Sequence, residues 1–235
     1  MEGRKKLVVF TGAGMSQESG IQTFRDSGGL WEQFSVEDVA TPEGWKKNPE
    51  LVLEFYNQRR KQIIESQPNA GHLSLAAMEE KYEVNIITQN IDDLHERAGS
   101  THVLHLHGEI LKARSTFNNQ LVYPLSDWRL NKGDRCEKGS QLRPHIVWFG
   151  EDVPMMDSAI EIVSTADIFV IVGTSLNVYP AANLVEYVPA FCPKFLIDPG
   201  DFSAQRLTNL THFKEIASVG LNQLQKSLDV LQGVA

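Results

Sequence analysis

The chain has 235 residues, 42% of them hydrophobic and 22% charged, so it is long enough to bury a core without disulfides or metals. Its 22 basic residues against 30 acidic ones give a formal net charge of −8, which argues against nucleic acid and anionic membrane as partners. Two cysteines, Cys136 and Cys192, cannot build a secreted disulfide framework, and no apolar run is long enough for a signal-peptide core or a membrane span, so the expectation is a cytoplasmic protein.

In chain order, Leu7 to Thr11 is an apolar, partly β-branched run ended by Gly12, the pattern of a buried strand entering a glycine turn. Helical patterns follow over Pro49 to Glu65 and His72 to Lys81, then a strand over Val84 to Thr88. A helix over Met156 to Thr165 precedes the clearest strand, Ile168 to Gly173. A last helix and strand are expected over Pro180 to Val188 and Phe195 to Asp198. Strands alternating with helices predict a Rossmann-like α/β fold, a mostly parallel sheet with helices on both faces. Ligands of such sheets bind beyond the carboxyl ends of the strands.

Two stretches interrupt the alternation. Trp31 to Ala70 holds helical patterns but no convincing strand, and Lys112 to Pro144 is polar and rich in turn signals. Both read as insertions that form one smaller inserted domain. The division is then 1–31, 71–111 and 145–235 for the Rossmann-like domain, with 32–70 and 112–144 for the smaller one.

The turn Gly12-Ala13-Gly14-Met15-Ser16 brings glycines to the end of the first strand, where backbone can approach a pyrophosphate and the next helix aims its N-terminus at the charge. The dinucleotide fingerprint is partial, because Gln17 stands in place of the third glycine. Thr23, Phe24 and Arg25 sit in a glycine-flanked loop that runs on to Trp31. Gln89-Asn90-Ile91-Asp92 leaves the second strand with amides and a carboxylate suited to a ribose or carboxamide, or to capping a helix. His105 and His107 are at period-two spacing, on one face if the segment is a strand.

Together G-A-G-M-S, G-I-x-T-F-R-D, G-L-W, T-Q-N-I-D-x-L-H, L-H-G, W-F-G-E and G-T-S resemble the sirtuin family, in the family's order from Val9 to about Leu224. The resemblance implies NAD-dependent removal of acyl groups from lysines of partner proteins. In that reaction the acyl oxygen attacks the nicotinamide-bearing ribose carbon, nicotinamide leaves, and O-acyl-ADP-ribose is formed. His107 matches the catalytic base, and Asn90 and Asp92 match residues that organise the nicotinamide end. An imidazole suits base work near neutral pH. The cofactor-binding matches are Gly12, Ala13, Gly14 and Ser16, then Thr23, Phe24, Arg25 and Trp31, then Gln89 and Ile91, then Gly173, Thr174 and Ser175, with Asp198 and Ala217 at the adenosine end. Val147, Phe149 and Gly150 match a segment that pairs with extended peptide by β-augmentation.

Tyr56 and Arg59, three apart, share a helix face. Read alone, they describe an amphipathic surface helix with a solvated arginine. In the resemblance they match, with Ala40, the acyl pocket of the sirtuin subclass that removes succinyl and malonyl groups. A guanidinium fork and a phenol suit a carboxylate. Zinc is not expected. Arg114, Ser115 and Thr116 lie where the family's first cysteine pair would fall, and Cys136 is followed by Gly139 and Ser140 instead of a partner. Leu121, Tyr123, Trp128 and Leu130 are the expected apolar substitute for the metal. His95, His102, His105 and His107 crowd together in sequence, but no carboxylate or cysteine completes a ligand set, and His105 reads as structural. Alternatives left open are a deacetylase, a protein ADP-ribosyltransferase, an NAD-sensing module without catalysis and, more remotely, a dehydrogenase.

Overall fold

The computed structural model describes residues 3–21, 34–201 and 208–231. Six strands form one sheet: β1 (Lys6–Thr11), β2 (Glu83–Thr88), β3 (Val103–His105), β7 (Ile168–Val172), β8 (Lys194–Ile197) and β9 (Leu210–Phe213). Their order is β3-β2-β1-β7-β8-β9, and every pairing is parallel. The chain winds outward from β1 in one direction and from β7 in the other. This is the doubly wound order, with its crevice at the carboxyl ends of β1 and β7.

Alternation along the strands divides the core into two layers. Leu7 and Val9 of β1 join Val84, Ile86, Val170 and Val172 on one face. There they meet Leu75 and Met78 of a helix over Ala70–Met78 and Leu221 and Leu224 of the last helix, Ala217–Leu231. Val8 and Phe10 point the other way, onto Ala159 and Val163 of a helix over Met156–Ser164 and Leu184 of a 3-10 segment, Ala181–Tyr187. Coverage of both faces is why the central strands read as continuous apolar runs.

The first insertion is helical, as its sequence suggests: α1 (Val36–Val39), α2 (Pro42–Lys47) and α3 (Pro49–Glu65). The second departs from its sequence. It holds an antiparallel sheet of β4 (Gly108–Ser115), β5 (Val122–Pro124) and β6 (Leu142–Ile146) in the order β5-β4-β6. Short strands with charged, half-buried side chains carry little apolar alternation, so the polar reading missed them. β4 and β6 run across the expected joins at 111/112 and 144/145.

Three other expectations are corrected. The glycine turn leads into two 3-10 turns, Ala13–Met15 and Gln17–Ser19, not into an α-helix aimed at an anion. The segment expected as a helix from Pro180 is 3-10 over Ala181–Tyr187. The small module's apolar cluster is Leu53, Ala113 and Leu130, with Trp45, Leu125 and Leu142 packed against it. Leu121 and Tyr123 are not in that cluster, and Trp128 stacks instead under Arg129 and Lys61.

Candidate active site

The crevice between β1 and β7 is closed by a crossing of two loops. Gly12 and Gly14 donate their amides to the carbonyls of Val172 and Gly173 across 3.0 and 2.9 Å. A Cβ on Gly14 would lie 2.7 Å from the Gly173 Cα, and Gly173 itself holds a φ of +61°. Only glycine allows backbones so close, so these two amides serve the crossing. Ala13 sits half-buried in the turn.

Ser16 ends the first of these turns and faces the end of β2. Its hydroxyl donates to Asp92 Oδ2 at 2.9 Å and accepts from Asn90 Nδ2 at 3.0 Å. The Asn90 amide also donates to the Gly12 carbonyl, and Gln89 Nε2 donates to Thr174 Oγ1 at 3.1 Å. Asp92 is buried; burial raises its pKa, opposed by the Leu94 amide and the Ser16 hydroxyl. Its Oδ1 accepts from that Leu94 amide at the first residue of a short helix, Leu94–Arg97, whose N-cap is Asp93 and not Asn90 or Asp92. Ile91 packs at the margin of the cluster that contains Tyr56.

The two histidines differ in state. The strand ends at His105, yet both rings still reach the backbone leaving β2. His107 Nδ1 lies 3.1 Å from the Gln89 carbonyl. A carbonyl only accepts, so Nδ1 carries the proton and Nε2 presents its lone pair. No described residue hydrogen-bonds that Nε2. Burial lowers the His107 pKa, partly offset by Gln89, so the ring is neutral near pH 7 and able to take a proton. His105 lies between two acceptors, the Asn90 carbonyl at 3.1 Å and Glu96 at 2.7 Å. Burial lowers its pKa, but the Glu96 hydrogen bond and charge outweigh this, and the net shift is upward. The structural role expected for His105 is this ion pair.

The His107 backbone is also tied to the segment 147–150. Its carbonyl accepts from Val147 N at 2.9 Å, and Phe149 N donates to the Ala40 carbonyl at 3.0 Å. Trp148 between them is only 2% exposed, whereas Phe149 is 48% exposed and Gly150 is exposed too. Gly108, at φ +85°, allows the close pass over His145 that follows the base.

α3 is set by Asn48, whose side chain caps the Leu51 amide, and by Pro49 at its first position. Its inner face carries Tyr56 and Arg59, 3% and 8% exposed, so the surface-helix reading is replaced by a buried pair. Tyr56 packs with Ala40 and Trp148, and the Trp148 indole donates to its hydroxyl at 3.1 Å. Burial pushes the Tyr56 phenol to about 12 and lowers the Arg59 guanidinium, with Tyr56 and Asp92 opposing the latter shift. Arg60 beside them is structural: it donates to the carbonyls of Ile110 and Trp128. Sequence reading missed Arg60 and the Trp148–Tyr56 link, neither of which has a local signature.

Of the two residues matched to the adenosine end, Asp198 follows β8, with its Oδ1 accepting from Gly200 N at 2.8 Å, and Ala217 is buried in the core at the start of the last helix. Thr174 and Ser175 are half-buried just past β7. Thr23, Phe24, Arg25 and Trp31 lie outside the described residues. Among the described residues, no cluster of three or more His, Cys, Asp or Glu is placed to hold a metal ion.

A neutral base at the switch point of a parallel sheet, among amides and hydroxyls suited to ribose, marks a nucleotide-dependent enzyme. The Sir2 family pattern matches residues 12–180, and the chain belongs to that family. It is 51% identical over 229 residues to an NAD-dependent protein deacylase of Bacteroides thetaiotaomicron, covering 95% of this chain and 98% of that one. A crystal structure of a Sir2 homologue with NAD superposes with a TM-score of 0.87 at 36% identity, over 99% of this chain and 91% of that one. A Sir2 structure with a deacetylated p53 peptide and 3′-O-acetyl-ADP-ribose gives 0.80 at 28% identity, over 95% and 94%. The chain is an NAD-dependent protein deacylase.

Proposed function

We propose that this deacylase removes succinyl and malonyl groups, and acetyl groups as well, from protein lysines, giving nicotinamide and O-acyl-ADP-ribose. The observation that carries the reading is the burial of Tyr56 and Arg59 one turn apart on α3, in contact with the cluster of Ala40 and Trp148. A phenol and a guanidinium buried among apolar side chains favour an acyl chain that ends in a carboxylate.

NAD, when bound, supplies the electrophilic ribose carbon that accepts the acyl oxygen as nicotinamide departs. In this proposal Gly12, Ala13, Gly14, Ser16, Gly173, Thr174 and Ser175 hold its phosphates and ribose, and Gln89, Asn90, Ile91 and Asp92 its nicotinamide end. Asp198 and Ala217 face the adenosine. Thr23, Phe24, Arg25 and Trp31 are further cofactor contacts in this proposal. His107 Nε2 takes the proton of a ribose hydroxyl, supported by the protonated Nδ1 held on Gln89. Val147, Phe149 and Gly150 pair with the substrate backbone, supported by the exposure of Phe149 and Gly150 beside the buried Trp148.

We also read 32–70 with 112–144 as one smaller unit. The Asn57 side chain exchanges hydrogen bonds with both backbone groups of Leu130, and Arg60 reaches the Trp128 carbonyl, which supports that reading. No described helix is long and apolar enough to cross a membrane. A cytoplasmic setting is supported by two cysteines that are both free.

Succinyl-, malonyl- and acetyl-lysine peptides, assayed with and without NAD, test the proposal. Arg59→Met should lower desuccinylation by about a hundredfold while sparing deacetylation. Equal loss of both activities overturns the acyl assignment.

A further inference from the structure

A cavity reaches Trp148, the residue whose indole also holds the Tyr56 hydroxyl. It holds about 190 Å³ and is lined by Pro42, Trp45 and Lys46 of α2, by Thr116 and Asn119, and by Arg143 and Trp148. The Arg143 guanidinium stacks 3.3 Å over the centre of the Trp148 ring, and the Trp45 ring lies 5.7 Å from it.

The charges around this cavity do not cancel. Glu151 accepts from Arg143 through both carboxylate oxygens, at 2.7 and 3.0 Å, and also from Arg114 at 3.0 Å. One carboxylate therefore serves two guanidinium groups. Lys46 adds a third cation and makes no ion pair among the described residues. Arg143 is 8% exposed, and its Nε has no hydrogen-bond partner among the described residues. A buried donor without an acceptor is costly unless a ligand supplies one. The result is a cationic, aromatic-walled hollow on a chain whose net charge is −8.

We propose that this cavity is a subsite for a carboxylate on a short aliphatic stem: the side chain of a glutamate near the acylated lysine of the substrate protein, or a free dicarboxylate of the same chemistry. The carboxylate accepts from Lys46 and the Arg143 edge, Thr116 and Asn119 offer further donors, and the stem packs on Trp45. Trp148, which lines the cavity, also donates its indole N–H to the Tyr56 hydroxyl. The inference rests on the deacylase reading above and adds a preference for acidic substrate sequences.

The test uses succinyl-lysine peptides that differ only in Glu or Gln at positions flanking the lysine. Wild type should favour the best-placed Glu by about three- to tenfold in kcat/KM. Lys46→Glu should bring that ratio to one or below. Lys47→Glu makes the same charge change outside the cavity, on a side chain paired with Asp38, and should largely keep it. Equal loss in both variants would mean a general field and overturns the subsite. If the ratio is one but free glutarate inhibits wild type and not Lys46→Glu, the free dicarboxylate is the occupant and the subsite stands. Absence of both effects overturns it. If no succinyl peptide is turned over, the desuccinylase reading fails separately, and glutarate quenching of tryptophan fluorescence in wild type against Lys46→Glu still decides the cavity.

Discussion

Trp148 gives its indole N–H to the Tyr56 hydroxyl across 3.1 Å, joining the segment that carries Phe149 to the helix that carries Arg59. The segments proposed for peptide contact and for acyl contact thus share one buried hydrogen bond. The bond also fixes which way the phenol points. Its acceptor lone pairs face the indole, which leaves its O–H free to turn toward a carboxylate.

Tyr56→Phe should therefore act in two ways. It removes a donor to an acyl carboxylate and strands the Trp148 N–H. We expect a tenfold or greater fall in desuccinylation, a smaller fall in deacetylation, and a stability loss of about 1–3 kcal/mol. Steady-state kinetics on paired peptides and a denaturant titration read both. Unchanged desuccinylation in a folded variant removes Tyr56 from the pocket.

The state of His107 predicts a pH profile. Burial lowers its pKa below the ordinary 6.5, so the ring stays neutral, and competent as a base, down to more acid pH than a free histidine. The acid limb of kcat/KM should fall below pH 6.5, and His107→Tyr should abolish turnover while leaving the fold intact. An acid limb above that value would mean that the Gln89 hydrogen bond outweighs burial, contrary to the lowered pKa.

His105 predicts the opposite sign, in stability. Its folded pKa is raised by Glu96, so its share of stability is present below the unfolded value and is lost as pH rises through the folded one. The Glu96 pKa is lowered, so its share is lost as pH falls through its own folded value. Glu96→Gln should thus cost most between about pH 4.5 and 6.5, and less on either side. Glu96 is 40% exposed, which limits the effect to about 1 kcal/mol. Thermal melts across pH should show the gap close above neutrality.

What the sequence disclosed depended on how locally each feature is encoded. The strands β1, β2, β7 and β8 are short apolar runs buried on both faces, and such runs identify themselves. β3 and β9 are short, half-buried edge strands with histidines among their residues, and they gave no run to read. Ser16, Asn90, Asp92 and His107 were legible as motif members. The hydrogen bonds among the first three were not, because they join residues 74 and 76 positions apart. The polar reading of 112–144 failed for the same reason: β4 and β6 are held by pairing, not by an apolar stripe. Tyr56 and Arg59 gained meaning only through family resemblance, since helix spacing alone cannot tell a buried face from a solvated one.

Ser115 and Cys136, which the family resemblance sets against the zinc cysteines, meet in the structure. The Cys136 thiol donates to the Ser115 hydroxyl at 3.3 Å, and that hydroxyl already accepts from the Phe117 amide at 3.1 Å. A neutral hydroxyl bound in this way is a poor zinc ligand beside a single thiol. We expect metal analysis of purified protein to find far less than one zinc per chain, and a chelator to leave the melting temperature unchanged. Stoichiometric zinc would refute this.

If no metal holds the module, its apolar cluster must, and Leu130 is the place to test it. Leu130 is fully buried against Leu53 of α3 and Ala113 of β4, so one side chain bridges both insertions. Its backbone is fixed as well, by the two hydrogen bonds with Asn57. Leu130→Ala keeps those bonds and removes only the packing, leaving a cavity. The expected cost is about 2–5 kcal/mol. α3 also positions Tyr56 and Arg59, while His107 is held by Gln89 from the larger sheet. Loosening at Leu130 should therefore raise KM for succinyl peptides before it changes KM for NAD. A variant that loses both affinities in step would show that the module and the sheet unfold as one unit.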